Sequence, residues 1–178
     1  MITIHDKTFE PYISHTEIQT VIQRLAVEME KDLKDKNPLF VAILNGAFVF
    51  AADLMRALNF DADITFVKTQ SYVGTTSTGT VQTVLGLTQN IEGRTIVIVE
   101  DIVDTGHTLK QLLQIFQEKG AADVKVAALL QKPDALQYSD LETHYIGMEI
   151  PNKFVVGYGL DYDGLGRGFA GIYQLKEG

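Results

Sequence analysis

The chain has 178 residues, 46% of them apolar and 21% charged, which is the usage of an ordinary folded protein and not of a disordered one. Its 15 basic and 23 acidic side chains leave a net charge of −8, which excludes a broad electrostatic footprint for nucleic acid or for an anionic membrane. With no cysteine it has no disulfide framework, no thiolate metal site and no cysteine nucleophile.

The length fits one domain at roughly 100–200 residues each, and prolines at 11, 38, 133 and 151 mark no linker. Met1-Ile2-Thr3-Ile4-His5-Asp6 has no basic stretch followed by an apolar one, so no secretory leader is visible. No window approaches the ~18 apolar residues of a membrane span. One soluble cytoplasmic domain over 1–178 is the expectation.

In chain order, Ser14-His15-Thr16-Glu17 has the spacing of a capping box. Behind it Ile18, Val21, Ile22, Leu25, Ala26, Met29 and Leu33 recur at helical spacing, and Asn37-Pro38 is the expected stop. Leu39 to Leu44 is a continuous apolar run, the pattern of a strand covered on both faces. Asn45-Gly46 turns the chain into a helix over 47–58. Strands are expected over 62–70 and 81–87. The β-branched Thr95-Ile96-Val97-Ile98-Val99 forms another. A helix over about 108–119 is closed by Gly120. Short strands follow over 124–130, 145–147 and 154–158. Apolar strands alternating with helices imply βαβ units around a parallel sheet, whose ligands bind beyond the carboxyl ends of the strands.

Beyond Val99 comes Glu100-Asp101-Ile102-Val103-Asp104-Thr105-Gly106-His107-Thr108, with three acids in five residues. Acidic capping of the next helix needs only one such residue and leaves Glu100-Asp101 unexplained. A division of labour explains all three. The amides of 104–108, with the hydroxyls of Thr105 and Thr108 and a tight turn at Gly106, suit an anion nest at a helix N-terminus. Glu100 and Asp101 are acceptors and suit hydroxyl groups such as a ribose diol. A phosphate with vicinal hydroxyls beside it satisfies both halves, so the expected ligand is a sugar phosphate.

The stretch 99–106 resembles the 5-phosphoribosyl-1-diphosphate (PRPP) binding motif of type I phosphoribosyltransferases: an apolar strand, two acids, two apolar residues, then Asp-Thr-Gly. Lys132, after Ala127-Ala128-Leu129-Leu130-Gln131, is similar to the purine-contacting lysine of the hypoxanthine-guanine phosphoribosyltransferase family. Pro151 to Tyr162, with Arg167 beyond, resembles that family's purine- and metal-binding segment, and Ser71-Tyr72 through Gly79 its mobile active-site loop.

The resemblance implies an α/β type I phosphoribosyltransferase fold, with a parallel-rich sheet flanked by helices and a small hood built from terminal segments. It implies purine salvage, in which PRPP and hypoxanthine, with guanine as a second base, give the nucleoside monophosphate and pyrophosphate. Asp104 would be the general base for the purine N7 proton, and Lys132 would donate to the purine O6. Phe154 would stack on the base beside Lys153, with the Val155 backbone reading its edge. Glu100, Asp101, Asp104, Thr105, Gly106, His107 and Thr108 would hold the ribose phosphate, His107 through its amide alone. Asp161, with Glu100 and Asp101, would hold Mg²⁺. Arg167 with Asn45 and Gly46 would take the pyrophosphate; Asn45 stands where relatives commonly carry Lys or Arg, and the family often has a cis peptide there. Homodimers or homotetramers are implied too. From the sequence alone Asp161 reads equally as a loop-capping Asp, and an isolated lysine such as Lys132 reads as a solvated surface residue.

Gly74 to Thr80 imitates a P-loop but lacks its lysine, the glycines at 157, 159, 164, 166 and 168 make no dinucleotide fingerprint, and the four histidines have no zinc spacing. A phospho-acceptor receiver domain leaves the Phe154–Asp161 block unexplained. A non-catalytic PRPP or nucleotide sensor on the same fold is the alternative function.

Overall fold

The computed structural model describes residues 1–70, 82–85 and 87–176. Its largest element is a six-stranded sheet. Its strands are β3 (Leu39–Leu44), β4 (Asp63–Gln70), β5 (Gln82–Leu85), β6 (Thr95–Val103), β7 (Asp123–Gln131) and β8 (Tyr145–Glu149), in the order β5-β4-β3-β6-β7-β8. The five strands from β4 to β8 in that order run parallel, and β5 is antiparallel at the edge. Side chains alternate between two cores, as strand geometry requires. Phe40, Ala42, Val97 and Val99 point to one face, where α1 (His15–Leu33) and α2 (Phe48–Ala57) pack Ile18, Ile22, Leu25, Phe50 and Leu54. Leu39, Val41, Ile43, Ile96 and Ile98 point to the other, against Leu109, Leu112 and Phe116 of α3 (His107–Glu118). Because both faces are covered, these strands read as unbroken apolar runs.

The capping box forms as the sequence predicts: Glu17 N–H donates to Ser14 Oγ, and the Ser14 N–H to Glu17 Oε2. The helix stops at Leu33, before the expected Asn37-Pro38, and Asn37 turns the chain in left-handed backbone (φ +45). Gly120 closes α3 at φ +79.

A second, antiparallel sheet is the hood. It orders β1 (Ile2–Ile4), β2 (Lys7–Ile13), β10 (Ile172–Leu175) and β9 (Val155–Val156) as β1-β2-β10-β9, around Ile4, Phe9 and Val156. Three of these strands lie in segments for which the sequence predicted no strand. β9 is shorter than the expected 154–158, because the chain leaves the sheet at Gly157 into a reversal. No helix among the described residues is long and apolar enough to cross a membrane.

Candidate active site

The carboxyl ends of β3, β6 and β7 converge on one edge of the parallel sheet. One expectation is corrected there: β6 does not end at Val99 but runs to Val103, so Glu100 and Asp101 lie inside the strand, with Glu100 opposite Ala128 and Ile102 opposite Leu130. Both acids are buried, each only 8% exposed. Glu100 lines a cup formed with residues 102–109. Asp101 lies against the turn after β3: a Cβ on Gly46 would lie 1.7 Å from Asp101 Oδ2, so only glycine fits between them. The Leu44–Asn45 peptide before it is cis.

The cup is main chain. Gly106 (φ +81) is the N-cap of α3 and has no side chain to cap it; the Thr105 hydroxyl oxygen accepts from the His107 N–H at 3.4 Å, and no acid sits in the first turn. Capping by the acids therefore does not occur, and the N-terminus of α3 lines the cup, a ready seat for an anion. The segment after β7 braces it. Gln137 N–H donates to the Thr105 carbonyl at 3.1 Å, the Tyr138 hydroxyl meets His107 Nδ1 at 2.7 Å, and Lys110 pairs with Asp140. A Cβ on Gly106 would lie 2.5 Å from Leu141 Cδ2. Beyond its amide, then, the His107 side chain ties the cup to that segment.

Lys132 begins the same segment. Its N–H donates to the Val103 carbonyl at 2.9 Å, and its side chain is buried, with Nζ 2.9 Å from Oδ2 of the half-exposed Asp104. It is thus no solvated surface lysine. A buried ammonium beside a carboxylate at the rim of an anion cup sets a cation and a proton acceptor side by side.

These observations meet the comparisons with known proteins. A family model for the phosphoribosyl transferase domain matches residues 12–163. The chain belongs to the phosphoribosyltransferase family. It is 42% identical to the hypoxanthine-guanine phosphoribosyltransferase of Streptococcus pneumoniae over 166 residues, 93% of this chain and 92% of that one. Its fold superposes on the hypoxanthine phosphoribosyltransferase of Staphylococcus aureus with a TM-score of 0.89 at 36% identity, covering 97% of this chain and 94% of that one. The hypoxanthine phosphoribosyl transferase of Trypanosoma cruzi, studied for the role of its C-terminal region in oligomeric state and activity, gives 0.88 at 34% identity, with 98% and 95% covered.

The other predicted site residues of this phosphoribosyltransferase lie in two places. Asn45 is exposed at the turn after β3, with Gly46 behind it. Arg167 and Asp161 form an ion pair (Nη2 to Oδ1, 2.7 Å), and the Gly164 N–H donates to Asp161 Oδ2 at 2.8 Å, so Asp161 does cap its loop as well. On the hood, Phe154 is 44% exposed, packed tilted on Phe9 and edge-on to Tyr162, while Val155 is buried in β9 and Lys153 is half-buried. An aromatic residue of a small sheet that keeps so much surface is not merely core. Ser71 and Tyr72 lie outside the described residues. The sequence reading missed the close seat of Gly46 on Asp101 and the Asp104–Lys132 pair; a glycine two residues after a buried strand was the available signal for the first.

Burial pushes the Glu100 carboxyl well above the usual carboxylate range, with the neighbouring Asp101 charge adding to it. The unfolded chain releases this proton at the ordinary glutamate value while the folded chain keeps it, so stability is lost as pH rises above that value. Glu100→Gln should therefore raise the melting temperature of the metal-free, ligand-free protein at pH 8 and change it little at pH 4. Calorimetry across that range checks it; an equal gain at both pH values would show that protonation is not the cause.

Proposed function

We propose that this phosphoribosyltransferase acts in purine salvage, moving the 5-phosphoribosyl group of PRPP to N9 of hypoxanthine, and of guanine as second base, with release of pyrophosphate. The observation that carries the reading is the Lys132–Asp104 pair, a buried donor-only cation and a half-exposed carboxylate at the rim of the main-chain cup. The α3 N-terminus takes the 5′-phosphate through the amides and hydroxyls of 104–108. Lys132 Nζ donates to the purine O6, Phe154 stacks on the ring beside Lys153, and the Val155 main chain meets the base edge. N9 attacks C1′ as the C1′–O bond to pyrophosphate breaks, and the N7 proton passes to Asp104. The transition state at C1′ resembles an oxocarbenium ion, so placed charge counts for more than a strong nucleophile. Arg167 offers its fork to the leaving pyrophosphate, with the turn at Asn45-Gly46. The reading takes 1–178 as one catalytic domain, with the base held between the hood and the main sheet.

Mg²⁺ fits the donor set. The carboxylates of Glu100, Asp101 and Asp161 are hard oxygen donors, and Glu100 lines the cup. That suits an ion bound through one or two carboxylates plus substrate oxygens and water. When bound, it neutralises the diphosphate as leaving group. Self-association as a dimer or tetramer belongs to the same reading, supported by the large exposed apolar side chains Phe48 of α2 and Phe66 of β4.

The test is to mix the protein with hypoxanthine, PRPP and Mg²⁺ and to measure pyrophosphate and IMP. Equal amounts of both products are expected. PRPP binding without either product would point instead to a non-catalytic sensor.

A further inference from the structure

Tyr158 is buried, yet it lies in left-handed backbone (φ +51), as does Gly159 after it (φ +102). Gly157 and Leu160 exchange N–H···O bonds of 3.0 and 3.1 Å, closing a two-residue turn with positive φ at both central residues. That is the type I′ pattern, whose first central position favours Asn, Asp or Gly. A tyrosine there runs against local preference, and its hydroxyl has a particular partner. It donates to Asp53 Oδ2 at 2.5 Å, an oxygen that also accepts from Gln19 Nε2 at 2.9 Å. Burial first, and then the bond to Asp53, raise the tyrosine's pKa, so the hydroxyl keeps its proton and stays a donor.

The two ends of this link sit on two parts of the site. Asp53 is on α2, the helix that starts directly after the Asn45-Gly46 turn. The Tyr158 turn touches the same place from the other side, since a Cβ on Gly159 would lie 2.1 Å from the Gly46 carbonyl oxygen. Gly159 is also held by Arg167: its N–H donates to the Arg167 carbonyl at 2.9 Å, and Arg167 Nη1 donates to the Gly159 carbonyl at 2.7 Å. Arg167 Nη2 in turn pairs with Asp161. One reversal thus touches Gly46 and Arg167 directly and Asp161 through Arg167, and its anchor is the hydroxyl–carboxylate bond. Neither Asp53 nor Tyr158 lines the phosphate cup.

We infer that Asp53 and Tyr158 are positioning residues for the pyrophosphate half of the site. Their link locks the 157–160 turn to α2 and so sets Arg167 and Asp161 against the Asn45-Gly46 turn. This rests on the phosphoribosyl-transfer reading above. The purine half, built on Lys132 and Phe154, does not pass through the link, so the two substrates respond differently to its loss.

Tyr158→Phe removes one oxygen atom, and Asp53→Asn keeps the shape of the acid. Each should raise KM for PRPP, and for pyrophosphate in the reverse direction, roughly three- to tenfold, the worth of one hydrogen bond, with KM for hypoxanthine within about twofold. The double variant should be no worse than the more affected single one, because both break the same link. Unchanged KM for PRPP and pyrophosphate in a folded variant, even with a lowered melting temperature, would overturn the inference, as would an equal rise for hypoxanthine. Should Asp53→Asn fail to fold, Tyr158→Phe alone decides. PRPP binding by calorimetry on the same proteins separates the two readings. A wild type that makes no product refutes the transferase reading, whereas the ratio of PRPP affinities still tests the link.

Discussion

Asp104→Asn should lower kcat for hypoxanthine by roughly 10²–10⁴-fold, the range for losing a positioned general base, while KM for PRPP changes little. Asparagine keeps the size of the side chain and an oxygen that can face Lys132 Nζ, now 2.9 Å from the carboxylate. It cannot accept the N7 proton. Meanwhile the main-chain cup is unaltered, because Gly106 and not Asp104 occupies the N-cap of α3, and the side-chain oxygen that accepts from its first N–H is that of Thr105. The two functions of this short segment therefore separate in one variant, with the anion seat kept and the proton acceptor lost. Steady-state rates with PRPP and hypoxanthine varied in turn give the result. Undiminished kcat would remove Asp104 from the chemistry; a rise in PRPP KM without loss of kcat would make it part of the cup.

Why β3 was legible from the chain and the course of β6 was not comes down to where apolar pattern stops carrying information. Leu39–Leu44 is covered on both faces, so burial dictates each of its residues and the predicted bounds are the observed ones. β6 obeys the same rule as far as Val99, then continues through two acids that burial alone would forbid. Charged residues at the end of an apolar run read as a strand's end. Here they are the part of the strand that runs beyond the apolar core, with Glu100 lining the cup and Asp101 against Gly46. The hood was obscure for a different reason. β1 and β10 are three and four residues long, and β2 buries only Phe9 and Ile13 of its seven, so no apolar period stands out.

Contacts between distant segments were illegible in principle. The motif at 99–106 marks Asp104, and resemblance marks Lys132, but their pairing depends on β6 and β7 lying side by side with Val103 opposite Gln131. Likewise the Tyr158–Asp53 bond joins residues 105 positions apart, and only the left-handed turn at Gly157-Tyr158-Gly159 brings them together. Glycines on either side of an aromatic residue were the local hint of that turn; nothing local named its partner.

Lys132→Met should raise KM for hypoxanthine by about 10- to 100-fold, the worth of one hydrogen bond from a charged donor, with KM for PRPP changed by less than about threefold. Methionine keeps the unbranched stem in a site where the side chain is already buried, so packing survives. Stability should change little as well. The partner, Asp104, is half-exposed and recovers water once the ammonium is gone, so no buried charge is left alone. The sharper consequence is in base selection. An ammonium has donors only, so it accepts a 6-oxo group and rejects the 6-amino group of adenine, which presents donors of its own. Removing it should narrow the ratio of hypoxanthine to adenine in kcat/KM, chiefly by loss of the hypoxanthine term. A variant whose PRPP KM rose more than its hypoxanthine KM would instead assign Lys132 to the phosphate.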